Sequence, residues 1–378
     1  MKHFSILFPA LCSLLIGSCQ NTEHKMKQDS IDPPIGWQPN ISAPKGFPAE
    51  TFYLDFANPD STDGGMMTLT AQLGWGEEEG TSTVSISKIP SRLDICWLSY
   101  AENQFWEGSF QLPYDTMVAL FKKGFPNVVY DVNIHSDKAI TSTYNVIVVG
   151  MAPGGVVVVW LQGVGTTGIY QVEVGRYQAK KTTVNMTDFI KKSGGNTDQS
   201  WLKDGSDAQK YVADYEMKRL VPDSIREQIA QKGIPYGLWD TYRERFSWRP
   251  QIEAYPLDAG APSVLKNVEI HCYNGEWLHF DSTEIVSKIY KAQPRIKRIN
   301  FDWYNPEGVY YGTTVDMDEA EIFWAYNQIF DSTNTGKQAE LIIQTSRIND
   351  EITLYLEHGN KRVKLTKAQI STSRYADK

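Results

Sequence analysis

The sequence predicts an α+β fold of two tandem, duplicated domains, each an antiparallel sheet with a packed helix, joined by a short helical connector. Two observations lead to this prediction. Short strand-like runs separated by turn residues dominate both ends of the 378-residue chain. An aromatic hairpin followed by an acidic helix start also occurs twice, as "FWEGSFQLPYDTMVALF" and as "VYYGTTVDMDEAEIFWAY". Hairpins interrupted by single helices are typical of α+β proteins.

Residues 1–18 have the form of a lipoprotein signal peptide. Lys2 precedes an apolar run, and "IGSC" ending at Cys19 fits a lipobox. The run is shorter than the roughly 20 residues that cross a bilayer, so a transmembrane helix is not favoured. An ordinary signal peptide is the alternative. Cleavage before Cys19 would leave its thiol for a lipid, which anchors a protein without spanning the membrane.

Residues 19–45 are predicted to be a flexible tether, because "QNTEHKMKQDSIDPPIGWQPN" is polar, then proline-rich, and has no apolar periodicity. Only Glu23 follows Cys19 closely, and the acidic run of a surface-export signal is missing. We therefore expect the protein at the cell envelope, on the periplasmic face of the outer membrane.

The first α+β domain is predicted at residues 46–180. Its helix is expected to follow Pro113 and to end before Gly124, with an apolar stripe that includes Met117, Val118 and Phe121. The run 156–159 is apolar at every position, which predicts a strand covered on both faces. The central helices are expected to cover its second face.

A helical connector is predicted at residues 181–260, from "SDAQKYVADYEMKRL", "PDSIREQIAQKG" and "LWDTYRERF". The second α+β domain, residues 261–378, is interpreted as a degenerate repeat of the first. Its helix is expected to begin with a capping box of Asp318 and Glu321. The stripe of this helix comprises Ile322, Phe323 and Tyr326, which we expect to be buried at places equivalent to the first stripe.

The repeat is predicted to keep one constant spacing through hairpin and helix. At that spacing Ile95 falls on Ile299, Trp97 on Phe301 and Gly108 on Gly312; Asp115 falls on Glu319 and Val118 on Ile322. Any strand-strand-helix unit has a similar pattern, which is the alternative to duplication. The later strands repeat in the same order, and this favours duplication.

Composition limits the classes of partner. The chain has 37 Lys and Arg against 45 Asp and Glu, a formal net charge of −8, which makes nucleic acid a poor partner. Of the four cysteines, Cys96 and Cys272 remain once the signal peptide and the lipid site are set aside. Export permits a disulfide, but both lie in strand-like apolar runs, and the sequence leaves their pairing open.

Motifs of catalysis are missing from the sequence. It contains no G-x-S-x-G, H-E-x-x-H, C-x-x-C, phosphate-binding glycine loop or dinucleotide fingerprint. The neighbours His135, Ser136 and Asp137 cannot easily adopt the geometry of a triad. We therefore predict a protein that is not an enzyme, with no cofactor and no metal.

One segment has the composition of an interface centre. "LWDTYRERFSWRP" combines aromatic and arginine residues, which are enriched there. The candidate partner-binding residues are Trp239, Tyr242, Arg243, Arg245 and Trp248. The alternative is that this segment docks between the two domains.

Over residues 40 to 250 the chain resembles domain-of-unknown-function family 2931. The likeness rests on "FWEGSFQLPYDTMVALFKKG", "APGGVVVVWLQG", "VEVGRYQA" and "LWDTYRERFSW". The resemblance implies a lipoprotein of a kind abundant in Bacteroidetes and present in proteobacteria. Relatives are often encoded beside phospholipase effectors of type VI secretion, which implies an immunity role. It assigns no catalytic residue.

These observations predict a membrane-anchored periplasmic lipoprotein that acts as a binding protein, in one version an immunity protein against such an effector. The partners expected are the membrane, through the N-terminal lipid, and a secreted protein or a glycan. A glycan-binding or envelope-assembly lipoprotein with exposed tryptophans is one alternative. A hydrolase with an unrecognised site is the other. The identity of the ligand and the oligomeric state stay open.

Overall fold

Runs of β-branched and aromatic residues form most of the secondary structure. The computed structural model describes residues 36–58, 69–79, 88–254 except 134, 167, 186, 189–190 and 192–214, then 263–330, 336–346 and 351–375. The predicted signal peptide, Cys19 and most of the predicted tether lie outside this part of the chain. Most of the first helix predicted in the connector also lies outside it, as do residues 255–260 at the end of the predicted connector.

The strands of the described residues are β1 (Gln38–Ala43), β2 (Ala49–Ala57), β3 (Thr70–Ala71), β4 (Gly74–Glu79), β5 (Arg92–Ser99), β6 (Gln104–Gln111), β7 (Phe125–Asp131), β8 (Ser136–Ser142), β9 (Val146–Ala152), β10 (Val156–Gly165), β11 (Gly168–Gln178), β12 (Lys180–Thr182), β13 (Phe246–Ala254), β14 (Val264–Cys272), β15 (Trp277–Asp281), β16 (Lys291–Gln293), β17 (Ile296–Tyr304), β18 (Tyr310–Asp316), β19 (Gln338–Thr345), β20 (Ile352–His358), β21 (Lys361–Leu365) and β22 (Gln369–Arg374). The helices are α1 (Tyr114–Lys123), α2 (Met217–Leu220), α3 (Asp223–Lys232), α4 (Leu238–Thr241), α5 (Ser282–Ser287) and α6 (Glu319–Ile329). This strand-rich, mainly antiparallel architecture with a few helices is the α+β class that was predicted.

The strands form four sheets. One has ten strands in the order β22-β18-β17-β14-β15-β11-β10-β9-β1-β4, and two have five, in the orders β12-β6-β5-β2-β3 and β16-β13-β19-β20-β21. A hairpin, β7-β8, stands alone. The ten-stranded sheet combines strands from early and late parts of the chain, because β11 pairs with β15. We call the chain up to β12 the first half and the chain from β13 the second half.

The two halves share one strand order. The order β12-β6-β5-β2-β3 corresponds to β22-β18-β17-β14-β15, and β4-β1-β9-β10-β11 corresponds to β16-β13-β19-β20-β21. Each half contains one parallel pair at the same place in this order, β1 with β9 in the first half and β13 with β19 in the second. A β-bulge also recurs, after Thr51 in β2 and after Leu265 in β14.

The constant spacing predicted for the two hairpins is not the one in the structure. Trp97 pairs with Trp106 and with Thr51, the residue just before the bulge. In the second half, Trp303 pairs with Tyr311 and with the residue before the bulge. Trp303, rather than Phe301, therefore takes the place of Trp97, and Tyr311 takes the place of Trp106; eight residues lie between the paired positions of the first hairpin and seven between those of the second.

Both predicted helix stripes face the core. Met117 and Phe121 of α1 and Ile322 and Tyr326 of α6 are buried, as predicted, while Val118 and Phe323 are partly buried. The capping box is only half formed. Asp318 accepts the backbone N–H of Glu321 at 2.8 Å, but the Glu321 carboxylate accepts from the backbone of Thr366 and Lys367 instead.

Two predicted boundaries need correction. The predicted tether, 19–45, extends too far, because Trp37 is fully buried and β1 lies between β9 and β4. The predicted helical connector, 181–260, contains β13, which pairs in parallel with β19 and belongs to the second half. The prolines of the tether and the mixed composition of the connector concealed strands whose apolar residues are few.

Strand β10 is covered on both faces, as its apolar run predicted. Val157 and Val159 belong to a core cluster with Trp97, Met117 and Phe121 of the first half. Val158 and Trp160 belong to a second cluster, which includes Val221, Trp239 and much of the second half. Residues of the central helices thus help to cover the second face, together with the second half itself. Cys96 and Cys272 are buried in this second cluster as free thiols.

Two glycines bring the halves into backbone contact. Gly76 of β4 and Gly275, in the turn before β15, have φ of +78° and +91°. A Cβ atom on Gly76 would lie 2.3 Å from the Cα atom of Gly275. The buried Gln171 amide donates to the carbonyl oxygens of both glycines, at 2.7 and 2.6 Å. Only glycine fits such an approach at positive φ.

Two buried carboxylates lie beside this contact. Glu173 of β11 is paired with Arg243, and Glu276 is paired with Arg245, each at 2.7 Å. The backbone N–H of Glu173 donates to the Glu276 carboxylate at 3.2 Å, which joins the two sites. Burial raises the pKa of Glu173, the Arg243 guanidinium opposes that rise, and the Glu276 carboxylate adds to it.

The close contact between Gly76 and Gly275 predicts that alanine destabilises the protein more at Gly275 than at a glycine with open space around it. Gly275→Ala should lower the free energy of unfolding by about 2 kcal/mol or more beyond Gly308→Ala. Gly308 has φ of +82°, but no atom lies within 4 Å of the position that its Cβ atom would take. The Gly308→Ala variant therefore measures only the cost of placing alanine at positive φ. Urea unfolding of both variants measures the difference. Equal losses would mean that the Gly76 contact adds nothing to stability.

The carboxylate pair predicts a pH-dependent variant. A carboxyl with a raised folded pKa stabilises most below its unfolded pKa, and this contribution is lost as pH rises through the folded pKa. Arg243→Gln removes the opposing charge, so its loss of stability should be about 1–3 kcal/mol larger at pH 8 than at pH 5. Urea titrations at both pH values measure this. Arg298→Gln, from an exposed pair with Asp316, is the control and should show little pH dependence.

Candidate functional site

The aromatic residues of the predicted partner-binding segment lie in the core. Trp239 is 1% exposed and packs edge-on against Phe47, with ring centroids 5.5 Å apart. Trp248 is fully buried and its indole N–H donates to the Pro294 carbonyl at 3.1 Å. Tyr242 is buried as well. These three rings therefore do not form the exposed contact surface that was predicted, because their faces are occupied by the protein itself.

Arg243 and Arg245 of the same segment are partly exposed, and each forms an ion pair within the protein. Arg243 reaches Glu173 of the first half, and Arg245 reaches Glu276 of the second. The segment therefore ties the two halves together, which is the alternative that its sequence left open.

Arg295 holds this segment from the other side, and no sequence pattern predicted it. Its guanidinium lies 4.5 Å from the ring centroid of Phe246 and 4.3 Å from that of Phe323. It donates to the Thr241 carbonyl at 2.9 Å and to Glu244 at 2.7 Å. An arginine before a strand carries no signal of such a position, because its partners come from distant stretches of chain.

A cleft of about 980 Å³ opens beside this segment, and it is the candidate site. It has three walls. The first half contributes Pro44, Lys45, Phe47, Leu73, Trp75 and Glu77. The central helices contribute Ile225, Gln228, Pro235, Leu238, Trp239 and Tyr242. The second half contributes, among others, Lys297, Arg298, Asp316, Glu319, Phe323 and Lys367. Of the predicted site residues, Trp239 and Tyr242 therefore line the cleft, although both side chains are buried.

Hydrogen bonds hold the polar side chains of the cleft in place. Lys297 and Glu77 form an ion pair at 2.6 Å that joins the wall of the second half to that of the first. The Tyr242 hydroxyl donates to Glu319 at 2.6 Å. Burial and the nearby Glu319 carboxylate raise the pKa of Tyr242. The pKa of Tyr273, which also lines the cleft, is raised for the same two reasons. Both phenols therefore remain hydrogen-bond donors at neutral pH.

The polar groups that line the cleft are carboxylates, ammonium and guanidinium groups, phenols and amides. Among the described residues that line it there is no Ser, Thr, Cys or His. Within the described part of the chain, no three His, Cys, Asp or Glu residues are grouped as metal ligands would be. His271 is buried against Trp277 and His279 is stacked on Tyr170, and neither lines the cleft. The cleft thus offers aromatic surface, amide groups and charged groups.

Comparison with known proteins identifies one family. No helix in the described ranges has the length and apolar character that crossing a membrane requires. No curated protein and no solved structure matches the chain. A family model does match, over residues 18–237, which is more than half of the chain. The chain therefore belongs to the family described as protein of unknown function (DUF2931).

Proposed function

We propose that this protein is a lipid-anchored binding protein of the cell envelope that holds its ligand in the cleft. The observation that carries the proposal is the cleft itself, about 980 Å³ in volume and walled by three separate stretches of chain. Ligand sites are typically concave, largely preformed and about 300–1,000 Å³ in volume. The ion pair of Lys297 with Glu77 and the bond of Tyr242 to Glu319 supply the preformed walls.

The anchor and the location are part of the proposal. They rest on the signal sequence and on Cys19, the position at which a lipobox places the lipid. Attachment there would hold the protein at the periplasmic face of the outer membrane.

The hydrolase alternative would rest on carboxylates, because the described lining has no serine, threonine, cysteine or histidine. A glycan-binding role that uses exposed tryptophans has less support. Eight tryptophans are buried, and Trp324 is the one that is more than half exposed among those described. The immunity role stays a prediction. It is the version of the proposal in which a segment of a secreted phospholipase enters the cleft.

We also propose that the two halves descend from one duplicated unit, with the predicted domain boundaries moved to take in β1 and β13. The proposal is supported by the shared strand order, by the parallel pair at the same place in each half, and by the recurring bulge. The cleft would then be a feature of the assembled pair, since its walls come from both halves.

Filling the cleft tests the binding proposal. Ala320 is exposed and lines the cleft, so Ala320→Trp should obstruct it without disturbing the core. Thermal shifts would be measured against glycans, peptides, amphiphiles and nucleotides. At least one class should raise the melting temperature of the wild type and not of this variant. Ala139→Trp, on the exposed strand β8, is the matched control and should respond like the wild type. Identical responses of both variants would exclude the cleft as the site.

Replacing the lipid-bearing cysteine tests the anchor. In cells producing Cys19→Ser, the protein should move from the membrane fraction to the soluble fraction, because no lipid can be attached. Cys12→Ser, in the predicted signal peptide, is the control and should leave the protein with the membranes. Immunoblots of the fractions measure the distribution. A Cys19→Ser protein that still sediments with membranes would contradict the anchor.

A further inference from the structure

The hairpin β7-β8 projects from one end of the first half. At its base, the ring of Phe125 fills the space in which a Cβ atom of Gly163 would lie. Two residues further on, the Asn127 side-chain oxygen accepts from the backbone N–H of Thr166 at 2.8 Å. The Thr166 hydroxyl then donates to the Val128 carbonyl at 2.7 Å. Strand β7 therefore runs beside the last residues of β10 and reaches the turn that joins β10 to β11.

Beyond Val128 the hairpin extends past that turn. Among the described residues, the hydrogen bonds and ion pairs of its outer part stay within the hairpin. Asp131 accepts the backbone N–H of Asn133 at 2.9 Å and lies 3.9 Å from the Lys138 ammonium group. Because a strand advances about 3.3 Å per residue, the end of β7 lies roughly 10 Å beyond the turn.

The tip of the hairpin exposes two apolar side chains. Tyr130 is 60% exposed and Val132 is 68% exposed, the highest fraction among the large apolar residues of the described chain. The charged groups beside them are the pair of Asp131 with Lys138, and Asp137, which faces Tyr130 across the hairpin. A tyrosine next to an aliphatic residue suits a boundary between water and an apolar phase, because its ring is apolar and its hydroxyl is polar.

The chain that leads from Cys19 joins the fold at this same end. Strand β1 begins at Gln38, which pairs with Val146, the first residue of β9. Val146 also pairs with Gln162, just before the part of β10 that lies beside the hairpin. A flexible chain of about 18 residues, the length between Cys19 and Gln38, spans about 20–25 Å. A surface that holds Cys19 is therefore within reach of the tip.

The cleft lies at the other end of β1. Pro44 and Lys45 line the cleft and directly follow the last residue of this strand. From Gln38 to Ala43 the strand advances about 15–20 Å. A bilayer in contact with the hairpin would thus leave the cleft turned away from it.

From these observations we infer that the tip of the β7-β8 hairpin inserts into the surface of the bilayer that holds the protein. Tyr130 and Val132 enter the head-group region, and the cleft faces away. The inference rests on the proposed lipid anchor, because two apolar residues alone bind a bilayer weakly. An anchor raises the local concentration of the tip, and a weak contact then becomes effective. The bilayer is the occupant favoured here, because the anchored chain enters the fold beside the tip.

A fluorescent label on Val132→Cys tests the contact. The chain from residue 20, with a hexahistidine tag before it, would be bound to phosphatidylethanolamine and phosphatidylglycerol vesicles that contain a nickel-chelating lipid. The tag replaces the lipid of Cys19, so the result does not depend on acylation of that residue. Cys96 and Cys272 are buried, so the label reacts with the introduced thiol. Lipids with a nitroxide on the head group should quench the label by at least about half.

Tyr236→Cys is the matched control for the position of the label. Tyr236 is 62% exposed and lies beside Gly154, in the turn between β9 and β10 at the opposite end of these strands. A label there should stay in water and lose less than about a tenth of its intensity. Equal quenching of the two labels, or no quenching of the Val132 label on sedimented vesicles, would overturn the inference.

Replacement of the tyrosine tests the apolar contact itself. Tyr130→Ser in the protein labelled at position 132 should lower the quenching at least about twofold, and Tyr236→Ser should leave it unchanged. Urea unfolding checks that both variants keep their stability. The quenching should persist in about 0.5 M sodium chloride, which screens charges but not apolar contacts; its loss there would overturn the insertion.

A second copy of the chain is the alternative occupant of the tip. It would shift the emission of the Val132 label as the protein concentration rises without vesicles, and that result would also overturn the inference. Fractionation of Cys19→Ser decides the anchor separately, and the screen with Ala320→Trp decides binding in the cleft.

Discussion

Two carboxylates buried side by side between the halves, Glu173 and Glu276, constrain the rest of the structure. A buried carboxylate is tolerated only with a partner that compensates its charge, and the partners here are Arg243 and Arg245. Both arginines belong to one short segment, which runs from α4 into β13. That segment must therefore stay against the junction of β11 and β15. Its aromatic residues are then drawn into the core on either side, and Trp239 meets Phe47 of the first half.

The cleft is a consequence of this arrangement. Strands β11 and β15 share a single register pair, Gln171 with Trp277, so the ten-stranded sheet is joined only narrowly at its centre. The segment and the central helices fill one side of that join. Beside them the loop after β1, the start of β4 and the start of α6 come close without packing fully, and the space between them is the cleft. The ion pair of Lys297 with Glu77 spans residues 220 positions apart in the chain.

Local patterns predicted the elements better than their partners. The stripes of α1 and α6 and the doubly buried β10 could be predicted because periodicity records which face of an element is buried. Pairing between strands far apart in sequence leaves no such record, so the join of β11 to β15 and the inclusion of β13 in the second half were missed. The aromatic and arginine segment was singled out correctly as special. Its rings lie in the core, which is the alternative that the sequence left open, because composition does not distinguish a surface that binds another molecule from one that packs within the same chain. The cleft could not be predicted at all, since its lining comes from three distant stretches.

The position of β1 has a mechanical consequence. It is the first strand of the described residues, and it pairs in parallel with β9 from Gln38 to Ser42. Hydrogen bonds between parallel strands lie side by side along the strand axis. Tension applied to the N-terminus along that axis would load all of these bonds in shear at once, whereas a hairpin pulled at its open end would lose them one after another. A protein held at a surface by its first residues would thus carry the load on a strand whose bonds to β9 must break together.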